Sequence, residues 1–182
     1  MVRSRNYNNL LSCLQPLQTM ERPRRSRMVD ISKDKKWGLK QEKIAIKKFK
    51  EKMGAKWNEF APLGMYSHFD YCAHAKKTRK CCFVEIKSRR NNHDAYDETI
   101  VPAIKIRKAL ALINAGHKAY LVVNFLDGIY YLDMEKASLR FDWNARRDRG
   151  ALELGLYAFL GISQFKKIKG GTKNGRTKQK TI

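Results

Sequence analysis

Two acidic residues and a lysine in this chain have the types and spacing needed for metal-assisted hydrolysis. Asp70 lies in one predicted strand, and Glu85 and Lys87 lie two residues apart in the next. Carboxylate oxygens are the ligands that Mg²⁺ prefers, and water bound to such an ion becomes a nucleophile. A nearby lysine supplies positive charge where negative charge develops during the reaction. The arrangement suits a divalent metal ion and a phosphodiester.

The residues around Asp70 and Glu85 are predicted to form a β-hairpin. Residues 66–75 and 80–88 flank a polar run without an apolar pattern, Lys76-Lys77-Thr78-Arg79, which indicates the turn. A turn centred between Lys77 and Thr78 pairs residues whose numbers sum to 155, so Asp70 lies opposite Glu85. Directly opposed Cβ atoms are about 4.5–5.5 Å apart, so the two carboxylates repel unless a cation lies between them.

The same register fixes the direction of the neighbouring side chains. It places His68 opposite Lys87. Because side chains alternate along a strand, Glu85 and Lys87 share one face while Ile86 points towards a core. A shift of the register by one residue would reverse all of these directions.

A third carboxylate is predicted on a helix over residues 37–53. Its apolar stripe consists of Ala45, Ile46, Phe49 and Met53, and Glu42 lies on the same stripe. Burial of an unpaired carboxylate costs several kcal/mol, so Glu42 either takes part in a site or lies at the edge of the stripe beside a lysine.

The remaining elements alternate between strand and helix. Strands are expected at residues 55–61, 118–125 and 129–134, and a helix at 102–115, with Gly116 just past its end. The segment from Phe141 to Ser163 has no clear pattern, and we expect it to cap the core, contact DNA or build a dimer.

The order of these residues resembles the PD-(D/E)XK nuclease superfamily. Gly38 and Glu42 precede Asp70, and Glu85-Ile86-Lys87 follows, within a resemblance that covers about residues 37–134. One departure is Phe69, where a proline often precedes the aspartate. The resemblance implies an α/β fold with a restriction-endonuclease-like αβββαβ core, in which helices flank a mixed central sheet. It implies a nuclease similar to small phage endonucleases or Holliday junction resolvases, which often work as homodimers.

The resemblance also implies a role for each site residue. Asp70 and Glu85 would bind Mg²⁺ or Mn²⁺ with the backbone carbonyl of Ile86, and Glu42 would be an additional ligand or a hydrogen-bond acceptor behind it. Lys87 would orient the attacking water or stabilise the charged phosphorane. The alternative from the residues themselves is a solvated cross-strand ion cluster without catalytic function.

The charge of the chain favours nucleic acid as its partner. The formal net charge is +22, with 8 basic and 3 acidic residues in the first 35, and 7 basic and no acidic residues in the last 17. Such a chain attracts polyanions, and its binding should weaken steeply with salt. DNA is the expected target, and RNA is the alternative target. The alternative function is that of a non-catalytic DNA- or RNA-binding protein on the same or another basic α/β fold. The predicted contacts are Lys76, Lys77, Arg79, Lys80, Arg89, Arg90 and Lys105.

The composition divides the chain into three parts. We predict a basic N-terminal segment over residues 1–35, a nuclease-like domain over 36–165 and a basic disordered tail over 166–182. The N-terminal segment does not resemble a secretory signal, and no apolar run reaches the roughly 18–20 residues needed to cross a membrane. We therefore expect a cytoplasmic protein, in the host cytoplasm if it is viral, without a membrane partner.

Four soft side chains form a rival metal site. They are Cys72, His74, Cys81 and Cys82, and the hairpin register places His74 opposite Cys81. Their spacing matches no standard zinc knuckle, and Cys82 points to the opposite face from Cys81. Reduced thiols are the simpler interpretation.

Overall fold

The structure is a computed structural model that describes residues 31–64, 66–146 and 153–168. Its helices are α1 (Ile31–Met53) and α2 (Ala103–Asn114). Its strands are β1 (Ala61–Pro62), β2 (Tyr71–His74), β3 (Cys81–Ser88), β4 (Glu98–Pro102), β5 (Lys118–Phe125), β6 (Gly128–Asp133), β7 (Arg140–Arg146), β8 (Glu153–Gly161) and β9 (Lys166–Lys167).

The strands form a mixed central sheet and a second, smaller sheet. Among the described residues the central sheet has the order β1-β2-β3-β5-β6-β9, and the second sheet has the order β4-β8-β7. β3 and β5 pair in parallel, since α2 provides the crossover between them, and the other pairs are antiparallel. The predicted α/β class with a mixed central sheet and flanking helices is confirmed.

α1 covers one face of the central sheet. Ala45 and Phe49 are fully buried, and they pack with Val84 and Ile86 of β3 in one hydrophobic cluster. The ring of Phe49 contacts the rings of Phe60, Tyr120 and Tyr131, at centroid distances of 5.7, 5.4 and 5.9 Å. The predicted apolar stripe is therefore the face by which α1 packs, although the helix already includes Ile31, six residues before the predicted start.

α2 and the second sheet cover the opposite face. Ile106 of α2, Val101 of β4 and Leu160 of β8 are buried together with Leu121 of β5. α2 starts directly after β4, and Gly116 follows its end at φ +83°, a conformation that favours glycine. The second sheet thus holds α2 against β3 and β5.

The predicted register of the hairpin is confirmed. β2 pairs with β3 through Tyr71 and Val84, and through His74 and Cys81, so paired numbers sum to 155. The alternation follows from it: Val84 and Ile86 point into the α1 cluster, whereas Phe83 packs against the α2 cluster.

Other expectations differ from the structure. The strand expected at residues 55–61 is wrong over most of its length, since only an isolated bridge at Trp57 and the short β1 are present. The segment from Phe141 to Ser163 contains most of β7 and all of β8, and the charged residues between the two strands had obscured their alternation. Lys166 and Lys167, assigned to the tail, pair with β6, because the buried Ile168 anchors them.

Two predicted segments lie largely outside the described residues. They are the N-terminal segment, described only from residue 31, and the tail, described only to residue 168. Within the described residues, no helix is both long and apolar enough to cross a membrane.

The packing of α1 yields a test. Phe49→Ala should lower the free energy of unfolding by about 3–5 kcal/mol, because it removes a fully buried ring from the cluster beneath the sheet. Urea denaturation followed by circular dichroism measures the change. Leu39→Ala is the matched control, since Leu39 lies on the same helix and is half exposed, and it should change the value by less than about 1 kcal/mol. Equal effects of the two substitutions would contradict this packing.

Candidate active site

Asp70 lies where β2 and β3 separate. Its backbone N–H donates to the carbonyl of Val84 at 3.0 Å, although Val84 is already paired with Tyr71, and the N–H of Phe69 donates to Ser67 Oγ at 3.2 Å, so the regular ladder ends at Tyr71. The Asp70 side chain takes the position of the missing strand partner, since its Oδ2 accepts from the Ile86 N–H at 2.6 Å. The carboxylate is thereby fixed against β3.

The backbone of Ile86 points towards the same opening. The N–H and C=O of one strand residue point to the same neighbouring strand. Because the Ile86 N–H meets the Asp70 side chain, its carbonyl also points to the side that β2 has left. This direction supports the Ile86 carbonyl as a ligand.

Glu85 is a fully buried carboxylate between two lysines. Its side chain is 0% exposed, with Lys87 Nζ 2.5 Å from Oε1 and Lys105 Nζ 2.8 Å from Oε2. Lys105 also donates to the carbonyl of His68 at 2.7 Å. Glu85 Oε1 accepts no hydrogen bond of good geometry from the described residues, in spite of its short contact with Lys87. The contact is an ion pair, because opposite charges attract at this distance whatever the angle.

Negative charge accumulates around this carboxylate. Burial raises the pKa of Asp70 above its usual value, and the charge of Glu85 raises it further. The hydrogen bond from the Ile86 N–H and the charges of the two lysines lower this pKa, but by less. Burial also raises the pKa of Glu42, and the negative charges of Asp70 and Glu85 raise it further. The positive charge of Lys87 acts in the opposite direction and lowers this pKa. α1, β2 and β3 thus bring the three predicted carboxylates close enough to repel one another, which favours binding of a cation.

The donor set fits a hard divalent ion such as Mg²⁺ or Mn²⁺. Mg²⁺ is usually held by one or two carboxylates and keeps several waters, and Asp70 and Glu85 can supply two carboxylates. Among the described residues, no three His, Cys, Asp or Glu side chains form a group that could hold a metal ion. Glu42 therefore does not form a three-carboxylate metal group with Asp70 and Glu85. Cys72, His74 and Cys81 do not form a metal-binding group either, although Cys81 Sγ lies 3.4 Å from His74 Nδ1.

Two clefts meet at Lys87. A cleft of about 400 Å³ is lined by Glu42, Lys87 and Ser88, together with Trp37 and Arg90, whose guanidinium lies 4.7 Å from the Trp37 ring centroid. A larger cleft of about 630 Å³ extends from Lys87 towards β4 and β8. Lys87 is 31% exposed, so its ammonium is accessible to a ligand.

The predicted nucleic-acid contacts fall into two groups. Arg89 and Arg90 directly follow β3 and lie beside the clefts, and Lys105 enters the site as a partner of Glu85. The other predicted contacts lie in the exposed turn at the opposite end of the hairpin. The turn ends where β3 begins, at Cys81, and Cys81 is four residues from Glu85, or roughly 13 Å along the strand. These turn residues are Lys76, Lys77, Arg79 and Lys80.

Sequence reasoning missed a cluster beside the larger cleft. Asp127 accepts from the His93 N–H at 2.8 Å and from Tyr130 Oη at 2.9 Å, and its Oδ2 lies 2.7 Å from His93 Nδ1. The His93 and Tyr130 rings stack at a centroid distance of 4.5 Å. The Asp127-Gly128 turn indicated only a tight connection, and no sequence signal linked it to His93, 34 residues earlier.

The fold and the site define a class of protein. A hairpin that opposes an aspartate and a glutamate beside a lysine, in a mixed sheet between helices, is the arrangement of a PD-(D/E)XK nuclease. A family model described as "Phage putative PDDEXK endonuclease" matches residues 33–168, and the chain belongs to this family.

Comparison with solved structures gives a distant likeness. The Holliday junction resolvase Hjc from the archaeal hyperthermophile Archaeoglobus fulgidus matches with a TM-score of 0.45 and 12% sequence identity, over 72% of this chain and 91% of that one. Similarity at this level carries no argument about the reaction. No curated protein matches the chain.

The pairing of Glu85 can be tested by removing one lysine. Lys105→Met should lower the free energy of unfolding of the metal-free protein by roughly 2 kcal/mol. Breaking a fully buried pair costs about 3–5 kcal/mol, but here the loss is smaller because Lys105 is 21% exposed and Lys87 still pairs with Glu85. Urea denaturation in EDTA measures the change in the free energy of unfolding. Lys108→Met, one turn away on α2, is the control. An equally small change in both variants would contradict the pairing.

The Asp127 cluster has an expected pH dependence. Burial raises the pKa of Asp127, but hydrogen bonds from the His93 N–H, Tyr130 and the His93 ring outweigh it and hold the pKa below its usual value. The stabilisation is therefore present above the unfolded-state pKa of about 3.9 and is lost as pH falls through the folded-state pKa. Asp127→Asn should lower stability by about 1–2 kcal/mol near neutral pH.

Denaturation of this variant and the wild type across acidic pH tests the assignment. Their free energies of unfolding should converge as the pH falls below about 3.9. Asp94→Asn, which changes an exposed carboxylate next to His93 in sequence, should shift stability by less than about 0.5 kcal/mol. A difference between Asp127→Asn and the wild type that stays constant with pH would show that the Asp127 charge does not stabilise the fold.

Proposed function

We propose that this protein is a divalent-metal-dependent endonuclease that hydrolyses DNA phosphodiester bonds. The observation that carries the proposal is the buried carboxylate of Glu85, which has the ammonium of Lys87 2.5 Å away and lies in the strand against which the Ile86 N–H holds the Asp70 carboxylate. Membership of a phage endonuclease family supports it.

Each residue has a role that follows from its position. Asp70 and Glu85 would hold Mg²⁺ or Mn²⁺ with the Ile86 carbonyl, and Glu42, which lines the smaller cleft with Ile86 and Lys87, would accept hydrogen bonds from waters around the ion. The bound ion would polarise a phosphate oxygen and lower the pKa of a bound water. Lys87 would orient the attacking water and neutralise the negative charge that develops on the phosphate oxygens as the new P–O bond forms and the ester P–O bond breaks.

The charge of the protein supplies affinity for DNA. Arg89 and Arg90 lie where a backbone entering either cleft would pass, and arginine forks match phosphate oxygens. Lysines in the distant turn would contact the same duplex at a point well removed from the cut. Binding should weaken steeply with salt, since the net charge is +22.

A cleavage assay tests the proposal. Purified protein is incubated with labelled duplex, single-stranded and branched DNA and with RNA, in Mg²⁺, Mn²⁺ or EDTA. Cleavage of DNA should require the metal, and Lys87→Ala should reduce its rate by at least about 10²-fold, the effect of removing a group that stabilises charge in the transition state. Lys76→Ala removes a lysine from the distant turn and should change the rate only a few-fold.

A second variant guards against misfolding. Lys87→Ala leaves Glu85 with one partner fewer and can lose stability, whereas Asp70→Asn removes a carboxylate whose pKa is raised by burial and by Glu85. Asp70→Asn should abolish cleavage while DNA binding, measured by fluorescence anisotropy in EDTA, stays the same or tightens. Full cleavage by a folded Asp70→Asn protein would overturn the proposed site.

One observation favours a second candidate function, a non-catalytic DNA-binding protein. Both oxygens of Glu85 already have a lysine beside them, so this carboxylate is compensated without a metal ion. A binder of this kind would bind the DNA panel in EDTA and cleave none of it in Mg²⁺ or Mn²⁺. Metal-dependent cleavage that Asp70→Asn abolishes excludes it.

A further inference from the structure

The larger of the two clefts has the properties of a site for a flat, uncharged ring. Its volume is about 630 Å³, and aromatic side chains make up much of its wall, namely His93, Tyr96, Phe125 and Tyr157. Ligand sites typically measure 300–1,000 Å³ and combine apolar walls with a few polar groups. Here Asn91 and Thr99 supply an amide and a hydroxyl, groups that can pair with the edge of a base.

Charged side chains of both signs line the cleft. Lys87 lines this cleft and also the smaller one that contains Glu42. Arg89 lines it and donates to the Ile100 carbonyl at 3.0 Å, and Glu98 lines it and forms an ion pair of 2.7 Å with Arg140. A phosphate is therefore attracted to Lys87 and repelled by Glu98, which favours an uncharged group beside Glu98.

Part of the wall is fixed and part is free to adjust. The His93 ring is stacked on Tyr130 and held by Asp127, so it is positioned before any ligand binds. Tyr96 is 70% exposed, a large fraction for a ring of its size, and it lies at the wall of the cleft. A ring that enters the cleft would therefore meet one aromatic side chain that is fixed and one that can adjust.

We infer that this cleft receives an unpaired nucleobase of the DNA, next to the phosphate that Lys87 contacts. The inference rests on the proposed function, which places the scissile phosphate at Lys87. A base inside a duplex cannot reach such a cleft without leaving the stack, and an unpaired base does so at the smallest cost. The preferred substrate class is therefore DNA with an unpaired nucleotide at the cut site, such as a bulge, a flap or a branch point.

The test uses binding without metal, so that it does not depend on cleavage. Two duplexes of the same sequence are compared in EDTA, one fully paired and one with a single bulged 5-iodouracil, a base that crosslinks on irradiation to aromatic side chains in contact with it. The protein should bind the bulged duplex about tenfold more tightly, and mass spectrometry should find the crosslink on His93, Tyr96 or Tyr157.

Two variants of one residue make the result specific. Tyr96→Ala removes the exposed ring and should reduce the preference for the bulge to near unity, whereas Tyr96→Phe keeps the ring and should keep the preference. Equal affinity for both duplexes, or crosslinks only outside the cleft, would overturn the inference. So would an unchanged preference in a folded Tyr96→Ala protein.

Cleavage of the same two duplexes in Mg²⁺ separates this inference from the proposed function. Cleavage without any preference for the bulge leaves the nuclease intact and overturns the base site. A bulge preference and a crosslink in the cleft, without cleavage in Mg²⁺ or Mn²⁺, support the base site and overturn the nuclease.

Discussion

Burial of the Glu85 carboxylate is the constraint on which the rest of this structure depends. An ionised carboxylate inside a sheet is unstable unless positive charge lies within a few ångströms. Lys87 supplies one such charge from the same strand, and Lys105 supplies the other from α2. α2 must therefore lie over β3, and β4 and β8, which pack with α2 in one hydrophobic cluster, help to hold it there.

The opposite face of the sheet meets a different requirement. α1 must present Glu42 at the edge where β2 and β3 separate, and it does so because Ala45 and Phe49 are buried below that edge. A second contact fixes the rotation of the helix: the Asn124 side chain of β5 donates to Gln41 Oε1 at 2.9 Å, next to Glu42 in sequence. Packing and hydrogen bonding thus act together to position a group whose burial is unfavourable by itself.

The parts of the site that could be predicted from the sequence are those governed by local periodicity. Alternation in β3 and the polar turn before it determine the register of the hairpin, which brings Asp70 and Glu85 to its open end. The contact of Lys105 with Glu85 depends on how α2 packs, and α2 had no signal that distinguished this lysine from a solvated one. β4 was missed because it is short and ends at the proline that starts α2. β7 carries the exposed Phe141 and Trp143, so no buried face marked it as a strand.

The confirmed register also limits how sequences of this kind can change in length. Asp70 and Glu85 lie near each other at the open end of the hairpin because each lies four residues from the pair formed by His74 and Cys81. A residue inserted within either arm would move one carboxylate to the opposite face of the sheet, whereas residues 76–80 are exposed and outside the ladder. Insertions and deletions that preserve the site are therefore confined to the turn, or occur in both arms together. Relatives aligned on the two carboxylates should differ in length only between them, at the tip of the hairpin.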